Sequence, residues 1–79
     1  MGRELRIMKL SKVQQRLVDQ MRKHNYRITW DTSVYKFIDT SGKLYRLSKG
    51  ATQATIARLE KDGVLLKTVL HNLRLSEYV

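Results

Sequence analysis

The chain contains no cysteine and no proline in its 79 residues, and only four glycines. Without cysteine, neither a disulfide nor a thiolate zinc site can support so small a core, so stability must come from side-chain packing. No linker-like, repeated or low-complexity stretch is present. We therefore expect a single domain over residues 11–79, preceded by a flexible N-terminus at residues 1–10.

Long apolar runs are also missing from the sequence. Residues 1–10 alternate charged and isolated apolar side chains, unlike the continuous apolar stretch of a signal peptide. No later run approaches the roughly 20 apolar residues of a membrane span. We therefore expect a cytoplasmic protein without a membrane partner.

Acidic residues are few, since seven Asp and Glu oppose sixteen Lys and Arg and leave a formal net charge of +9. Such an excess disfavours a compact domain through like-charge repulsion, so a polyanion is the natural partner. Nucleic acid is favoured, because clustered cations release the counterions condensed on its phosphates. A membrane surface would also require an amphipathic anchor or a lipid.

Patterns of catalytic and metal-binding residues do not appear in the sequence. His24 and His71 are the only histidines, lie far apart and have no cysteine companions, so no metal site is predicted. There is no Ser/His/Asp set, no glycine-rich phosphate loop and no convincing carboxylate pair. We therefore predict no enzyme activity, no cofactor and no small-molecule ligand.

The first regular element is predicted to be a helix that begins at Lys12. Ser11 and Gln14 have the spacing of a capping box, and Asn25 is a suitable left-handed stop. Apolar residues recur between them at the spacing of one helical face. After this helix, residues 26–30, 34–38 and 44–47 are predicted as strands separated by turn-forming segments, although residues 44–47 could equally form one helical turn.

A second helix is predicted over residues 53–62, with Thr52 as its N-cap and Gly63 in the left-handed position after its end. Residues 64–70 and 73–79 are predicted to form a closing hairpin around a two-residue turn at His71 and Asn72. The predicted fold class is α+β. The expected core comprises Leu10, Val13, Leu17, Met21, Ile28, Phe37, Ile56, Leu59, Val64 and Leu75.

The outer side of this second helix is predicted to be small and basic, with Ala54, Arg58 and Lys61 opposite the apolar side and Gln53 and Ala57 at the flank. Such a surface can enter the major groove, where Arg pairs with guanine, Gln with adenine and a methyl group with thymine. A helix surface that is simply solvated would carry the same residue types.

The segment Ala51–Leu65 resembles the recognition helix and following strand of winged-helix regulators, which run Thr-Ile or Thr-Val, then Leu three positions on, then Gly before an apolar pair. Residues 73–77 are similar to the closing strand of such domains. The sequence departs from this family at residues 26–47, which are predicted as strands where a second helix would stand. The resemblance implies a small winged-helix-like domain, of the prophage type, in which the second helix is the recognition helix.

The function implied is that of a small transcriptional regulator or accessory factor, of a phage or mobile element, that binds double-stranded DNA. Thr52, Gln53, Thr55 and Arg58 would face the groove or its phosphates, and the hairpin tip would contact the backbone or minor groove. A homodimer and a protein partner are left open. The predicted DNA-binding residues are Lys49, Thr52, Gln53, Thr55, Arg58, Lys61, Lys67, His71, Asn72 and Arg74.

Two other functions remain open from the sequence. The chain could be a basic interaction module or inhibitor that binds an acidic or nucleic-acid-binding partner protein. It could also be an RNA-binding domain, with single-stranded bases stacked on Trp30, Tyr35, Phe37 and Tyr45. Alternating aromatic residues are more often core residues in so small a domain.

Overall fold

The computed structural model describes residues 10–76, which form two helices and one five-stranded antiparallel sheet. The elements follow in the order α1 (Lys12–His24), β1 (Arg27–Asp31), β2 (Val34–Ile38), β3 (Leu44–Tyr45), α2 (Gln53–Lys61), β4 (Leu65–Lys67) and β5 (Leu73–Leu75). The α+β class and the order of elements predicted from the sequence are confirmed. Residues 1–9 of the predicted flexible N-terminus lie outside the described residues, whereas Leu10 is partly buried against the core.

Helix α1 begins and ends where the local signals predict. The Ser11 hydroxyl accepts from the Gln14 N–H at 3.2 Å, and the Gln14 side chain accepts from the Ser11 N–H at 2.9 Å, which completes the capping box. Asn25 adopts the left-handed conformation with φ of 58° and ends the helix. No helix within residues 10–76 is long and apolar enough to cross a membrane.

The sheet has the strand order β3-β2-β1-β5-β4, so the first strand lies at its centre. Ile28 on β1 pairs with Phe37 on β2 and with Leu73 on β5. Because paired residues in a ladder face the same side, these three define the covered face of the sheet. Both helices contribute to the core on that face, whose buried members are Leu17, Val18, Met21, Ile28, Phe37, Ile56, Leu59, Val64, Leu65 and Leu73.

Three of the ten predicted core residues are only partly buried. Leu10 and Leu75 pack at the margin of the core, and Val13 lies close to the turn at Gly50. Gly50 has a φ of +86°, and a Cβ there would stand 3.3 Å from the Val13 Cγ2 atom, so glycine permits this close approach of loop and helix.

Three predicted strands are too long. The closing strand, predicted over residues 73–79, ends at Leu75, and residues 77–79 lie outside the described residues. The third strand ends at Tyr45 instead of residue 47. The fourth ends at Lys67 instead of residue 70, because the Thr68 N–H donates to the Asn72 carbonyl and closes a turn there. The predicted two-residue turn at His71 and Asn72 is therefore wrong, and the chain reverses over Thr68–Asn72.

Candidate nucleic-acid interface

Helix α2 is fixed in place by its inner face and by both ends. Ile56 and Leu59 are fully buried in the core, and full burial of such a side chain contributes about 1.5–3 kcal/mol. At the C-terminal end, Gly63 has a φ of +80° and its N–H donates to the Glu60 carbonyl, while the Val64 N–H donates to the Leu59 carbonyl. This pair of bonds is a Schellman motif, which turns the chain directly from α2 into β4.

The outer face of α2 is fully accessible, as the sequence predicts. Gln53, Ala54, Ala57, Arg58 and Lys61 are all exposed. None of them is a bulky apolar residue, so this face offers long donors and small methyl groups without an obstacle between them. That combination suits close approach to base edges.

Arg58 is held along the helix by an ion pair with Asp62 at the helix end. The distance from its Nε to the Asp62 Oδ2 is 3.0 Å, and its side chain is 67% exposed. An exposed pair of this kind contributes about 0–1 kcal/mol, so a nucleic-acid contact can replace it at little cost. The two terminal guanidinium nitrogens make no hydrogen bond to a described residue and stay accessible to a ligand.

The two threonines predicted to face the groove are used by the helix itself. The Thr52 hydroxyl accepts from the Thr55 N–H at 3.4 Å, and the Thr52 N–H donates to the Thr55 hydroxyl at 3.2 Å. Thr55 is also half-buried. Both residues act first as the N-terminal cap of α2. Lys49, in the loop before this cap, is exposed.

The two cations of the β4–β5 hairpin lie on opposite faces of it. Lys67 pairs with Leu73, and Arg74 pairs with Leu66. Because side chains alternate along a strand, Lys67 belongs to the face of Leu73 and Arg74 to the other one. The Arg74 Nη1 also donates to the Leu75 carbonyl at 3.1 Å. Lys67 and Arg74 therefore do not form a single phosphate-binding clamp in this structure.

The turn of this hairpin differs from the predicted one in what it exposes. Asn72 is half-buried, and its Oδ1 accepts from the Thr68 hydroxyl at 2.7 Å, so its carboxamide stabilises the turn. His71 is exposed, with a φ of 63°. Val69 and Leu70, which were not among the predicted binding residues, are 92% and 70% exposed. Their apolar character made them look like strand residues, and only the hydrogen bonds of Thr68 place them at the tip.

Further cations lie outside α2 and the hairpin. Lys12, Arg16, Arg22 and Lys23 are exposed along α1, and Arg27 is exposed at the start of β1. Two cations have acidic partners: the Lys36 Nζ lies 2.9 Å from the Asp31 Oδ2, and the Arg22 Nη1 lies 4.0 Å from the Asp19 Oδ1. None of these residues is among the DNA-binding residues predicted from the sequence. Positive charge thus extends over both helices as well as the sheet.

The aromatic side chains do not form an open stacking platform. Phe37 is buried, and Tyr26 packs against it and against Tyr45 with ring centroids 4.7 and 5.1 Å away. Trp30 is half exposed and meets Tyr35 edge-on at 4.9 Å. These residues share the covered face of the sheet, where the helices lie. The stacking surface considered for RNA is therefore largely occupied by the core.

The strongest electrostatic perturbation lies in the β2–β3 turn, away from α2. A hydrogen bond from the Ser41 hydroxyl, with others from the Lys43 and Ser41 N–H groups and the Tyr45 hydroxyl, lowers the pKa of Asp39 to about 2. The same Asp39 carboxylate raises the pKa of Tyr45. Each of these contacts lies within the turn, so the cluster organises the chain. Within residues 10–76 no group of three His, Cys, Asp or Glu side chains could hold a metal ion.

Comparison of the chain with protein-family models, with curated proteins and with solved structures gives no significant match.

Proposed function

We propose that the protein is a small winged-helix-like DNA-binding factor, which places α2 in the major groove of duplex DNA and its β4–β5 hairpin against the flanking backbone. The observation that carries this proposal is the contrast between the two faces of α2. Its inner face is fully buried, whereas its outer face exposes Gln53, Arg58 and Lys61 with only small residues between them. With its side chains an α-helix is about 10–12 Å in diameter, which fits the roughly 12 Å width of the groove.

The connection between α2 and the hairpin supports the same proposal. The Schellman motif at Gly63 joins the helix directly to β4, and β5 pairs with the central strand β1. Helix and hairpin are therefore parts of one packed unit, as a recognition helix and its wing would be. The resemblance of residues 51–65 and 73–77 to winged-helix regulators points the same way.

Arg58 is the residue we expect to read a base. Its Nε is occupied by Asp62, which leaves the two terminal nitrogens to form the fork that binds the guanine O6 and N7 atoms. Lys61 is a flexible point charge without such a fork, so we expect it to contact phosphate.

The test compares Arg58→Ala with Lys61→Ala, which remove one charge each from the same exposed face. A preferred duplex is first selected from a random pool by the unaltered protein, and affinities for it and for a scrambled duplex are measured at fixed salt. Arg58→Ala should cost about 1–3 kcal/mol on the preferred duplex and little on the scrambled one, whereas Lys61→Ala should weaken both alike. If Arg58→Ala lowers both affinities by the same factor, Arg58 binds phosphate and α2 is not the reader.

A second candidate function rests on the other face of the sheet. Val34 and Leu44 are exposed there, and Arg27 and Arg74 lie on the same face by strand alternation. Such a mixed surface suits a basic module that binds an acidic or nucleic-acid-binding protein. It predicts no salt-sensitive shift of random duplex at low salt, whereas DNA binding predicts a strong one.

A further inference from the structure

We propose that the tip of the β4–β5 hairpin is an apolar wedge, which inserts Leu70 with its neighbour Val69 between two base pairs from the minor groove. The proposal rests on the DNA-binding function proposed above and extends it from contact to deformation of the duplex. It assigns a role to the two side chains that the fold leaves most exposed among the large apolar residues described.

The tip is held in one conformation by hydrogen bonds that lie behind the apolar side chains. The Thr68 hydroxyl accepts from the Leu70 N–H at 3.1 Å and donates to the Asn72 Oδ1 at 2.7 Å. The backbone adds two bonds, from the Thr68 N–H to the Asn72 carbonyl at 2.8 Å and from the His71 N–H to the Thr68 carbonyl at 3.0 Å. A tip that is ordered before binding loses little conformational entropy when it binds.

The side chains at the tip are not those that a turn requires. Turns usually carry Gly, Asn, Asp or Ser, which satisfy the backbone or tolerate a positive φ. In this turn Thr68, Asn72 and the left-handed His71 meet those needs. Leu70 contributes only its backbone N–H to the turn, and the side chains of Val69 and Leu70 remain 92% and 70% exposed. The apolar character of these side chains therefore needs another cause.

The charge around the tip indicates a polyanionic partner. Residues 63–76 contain no Asp or Glu and carry Lys67 and Arg74, while the cleft that Leu70 lines adds one cation, Arg27, and one carboxylate, Asp39. An apolar tip on a basic hairpin fits duplex DNA, in which proteins insert apolar wedges such as Leu, Ile, Met, Pro or Phe between base steps and kink the helix towards the major groove. An anionic bilayer would share the charge, but stable anchoring there requires more than one weak signal. Insertion between two stacked base pairs, in contrast, requires only one or two apolar side chains.

The experiment uses the full chain and the duplex selected by it. 2-Aminopurine is placed at successive steps to report unstacking, and dyes at the two ends report bending. The tested variant is Val69→Ser with Leu70→Ser, which changes no charge. Leu66→Ser is the matched control, because Leu66 is an exposed apolar residue of the same hairpin but lies in β4.

We expect the unaltered protein and Leu66→Ser to raise the fluorescence at one step and to bend the duplex. The tip variant should lose both signals and bind about tenfold more weakly, since apolar burial is lost while the cost of unstacking is avoided. Its salt dependence should stay the same, because the number of phosphate contacts does not change.

Other outcomes would overturn the proposal. Salt-sensitive binding without unstacking by the unaltered protein, or unstacking that persists in the tip variant, would refute the wedge and leave the DNA-binding function intact. Failure of the unaltered protein to shift any duplex at low salt would refute both. Binding to vesicles of phosphatidylserine and phosphatidylcholine that depends on Val69 and Leu70, with duplex binding unaffected by them, would assign the tip to a bilayer surface.

Discussion

The two hairpin turns of this protein are closed in similar ways but expose different residues. In the β2–β3 turn the Asp39 carboxylate accepts four hydrogen bonds, from the N–H and hydroxyl of Ser41, the N–H of Lys43 and the hydroxyl of Tyr45. In the β4–β5 turn the Thr68 hydroxyl makes two, to Leu70 and Asn72. In each turn the first residue closes the loop with its side chain.

The two turns expose different kinds of residue, and the way in which they are closed does not require this difference. The first turn presents Thr40, Ser41 and Gly42, which are polar or without a side chain, whereas the second presents Val69 and Leu70. A closed turn with a polar tip is therefore available to this fold, and the chain uses one. The apolar tip of the β4–β5 hairpin is a separate feature, which we attribute to binding.

The largest expected effect is the loss of stability when a buried residue at the base of a hairpin is truncated. We expect this loss to be similar in the two hairpins. Phe37 on β2 and Leu73 on β5 are both buried and both pair with Ile28. Phe37→Ala and Leu73→Ala should each lower the free energy of unfolding by about 2–5 kcal/mol. Urea denaturation followed by Trp30 fluorescence measures this. A much smaller loss for Leu73→Ala would show that the β4–β5 hairpin is not part of the cooperative unit.

A smaller difference in stability should distinguish a substitution of the residue that closes the β4–β5 turn from a substitution of a residue exposed at its tip. Thr68→Val keeps the shape but removes both hydrogen bonds of the hydroxyl, and it should cost about 1 kcal/mol. Val69→Ser should change stability by less than about 0.5 kcal/mol, since its side chain is almost wholly in solvent. Thermal melts of the two variants provide the comparison. A clear loss of stability with Val69→Ser would mean that the tip packs against the protein and is not free to bind.

The sequence predicts those parts of the fold that depend on neighbouring residues. The helix ends depend on residues only a few positions apart, so they can be predicted without tertiary structure. These local features are the N-caps Ser11 and Thr52 and the left-handed residues Asn25 and Gly63. The strand 34–38 is confirmed residue for residue, because turn-forming segments bound it on both sides. The exposed outer face of α2 follows from the helical period alone.

The remaining parts depend on contacts between distant residues. Leu65 and Leu73 are buried but were not predicted as core, since nothing local shows which side of a short apolar strand the helices will cover. Val18 on α1 is also buried, next to Leu17, and widens the buried side of the helix beyond the predicted apolar face. Thr68 lies within a run of apolar and β-branched residues, so its role in closing the turn depends on Asn72 four positions later. For the candidate site, Thr52 is the predicted N-cap, but the pairing of Arg58 with Asp62 and the part of Thr55 in the capping box were not predicted.

The stability of the two turns should depend differently on pH. The Ser41 hydroxyl and the other donors around Asp39 lower the pKa of its carboxyl from 3.8 to about 2, because they bind the charged form more strongly. The ionised carboxylate therefore stabilises the folded state above about pH 4, and this contribution is lost as the pH falls towards 2. The contacts that close the β4–β5 turn involve a hydroxyl, a carboxamide and backbone groups, which do not titrate.

Asp39→Asn tests this difference, since asparagine keeps the shape and one carbonyl acceptor but cannot ionise. Between pH 4 and pH 2 the unaltered protein should lose more stability than Asp39→Asn, so that the two stability curves converge as the pH falls. Thr68→Val should follow the unaltered protein at a constant offset over the same range, because its missing hydrogen bonds are independent of pH. Urea titrations at closely spaced pH values measure the curves. Parallel curves for Asp39→Asn and the unaltered protein would show that the carboxylate is bound no more tightly in the folded chain than in the unfolded one. The hydrogen bonds of Ser41, Lys43 and Tyr45 would then favour the ionised carboxylate no more than the protonated one.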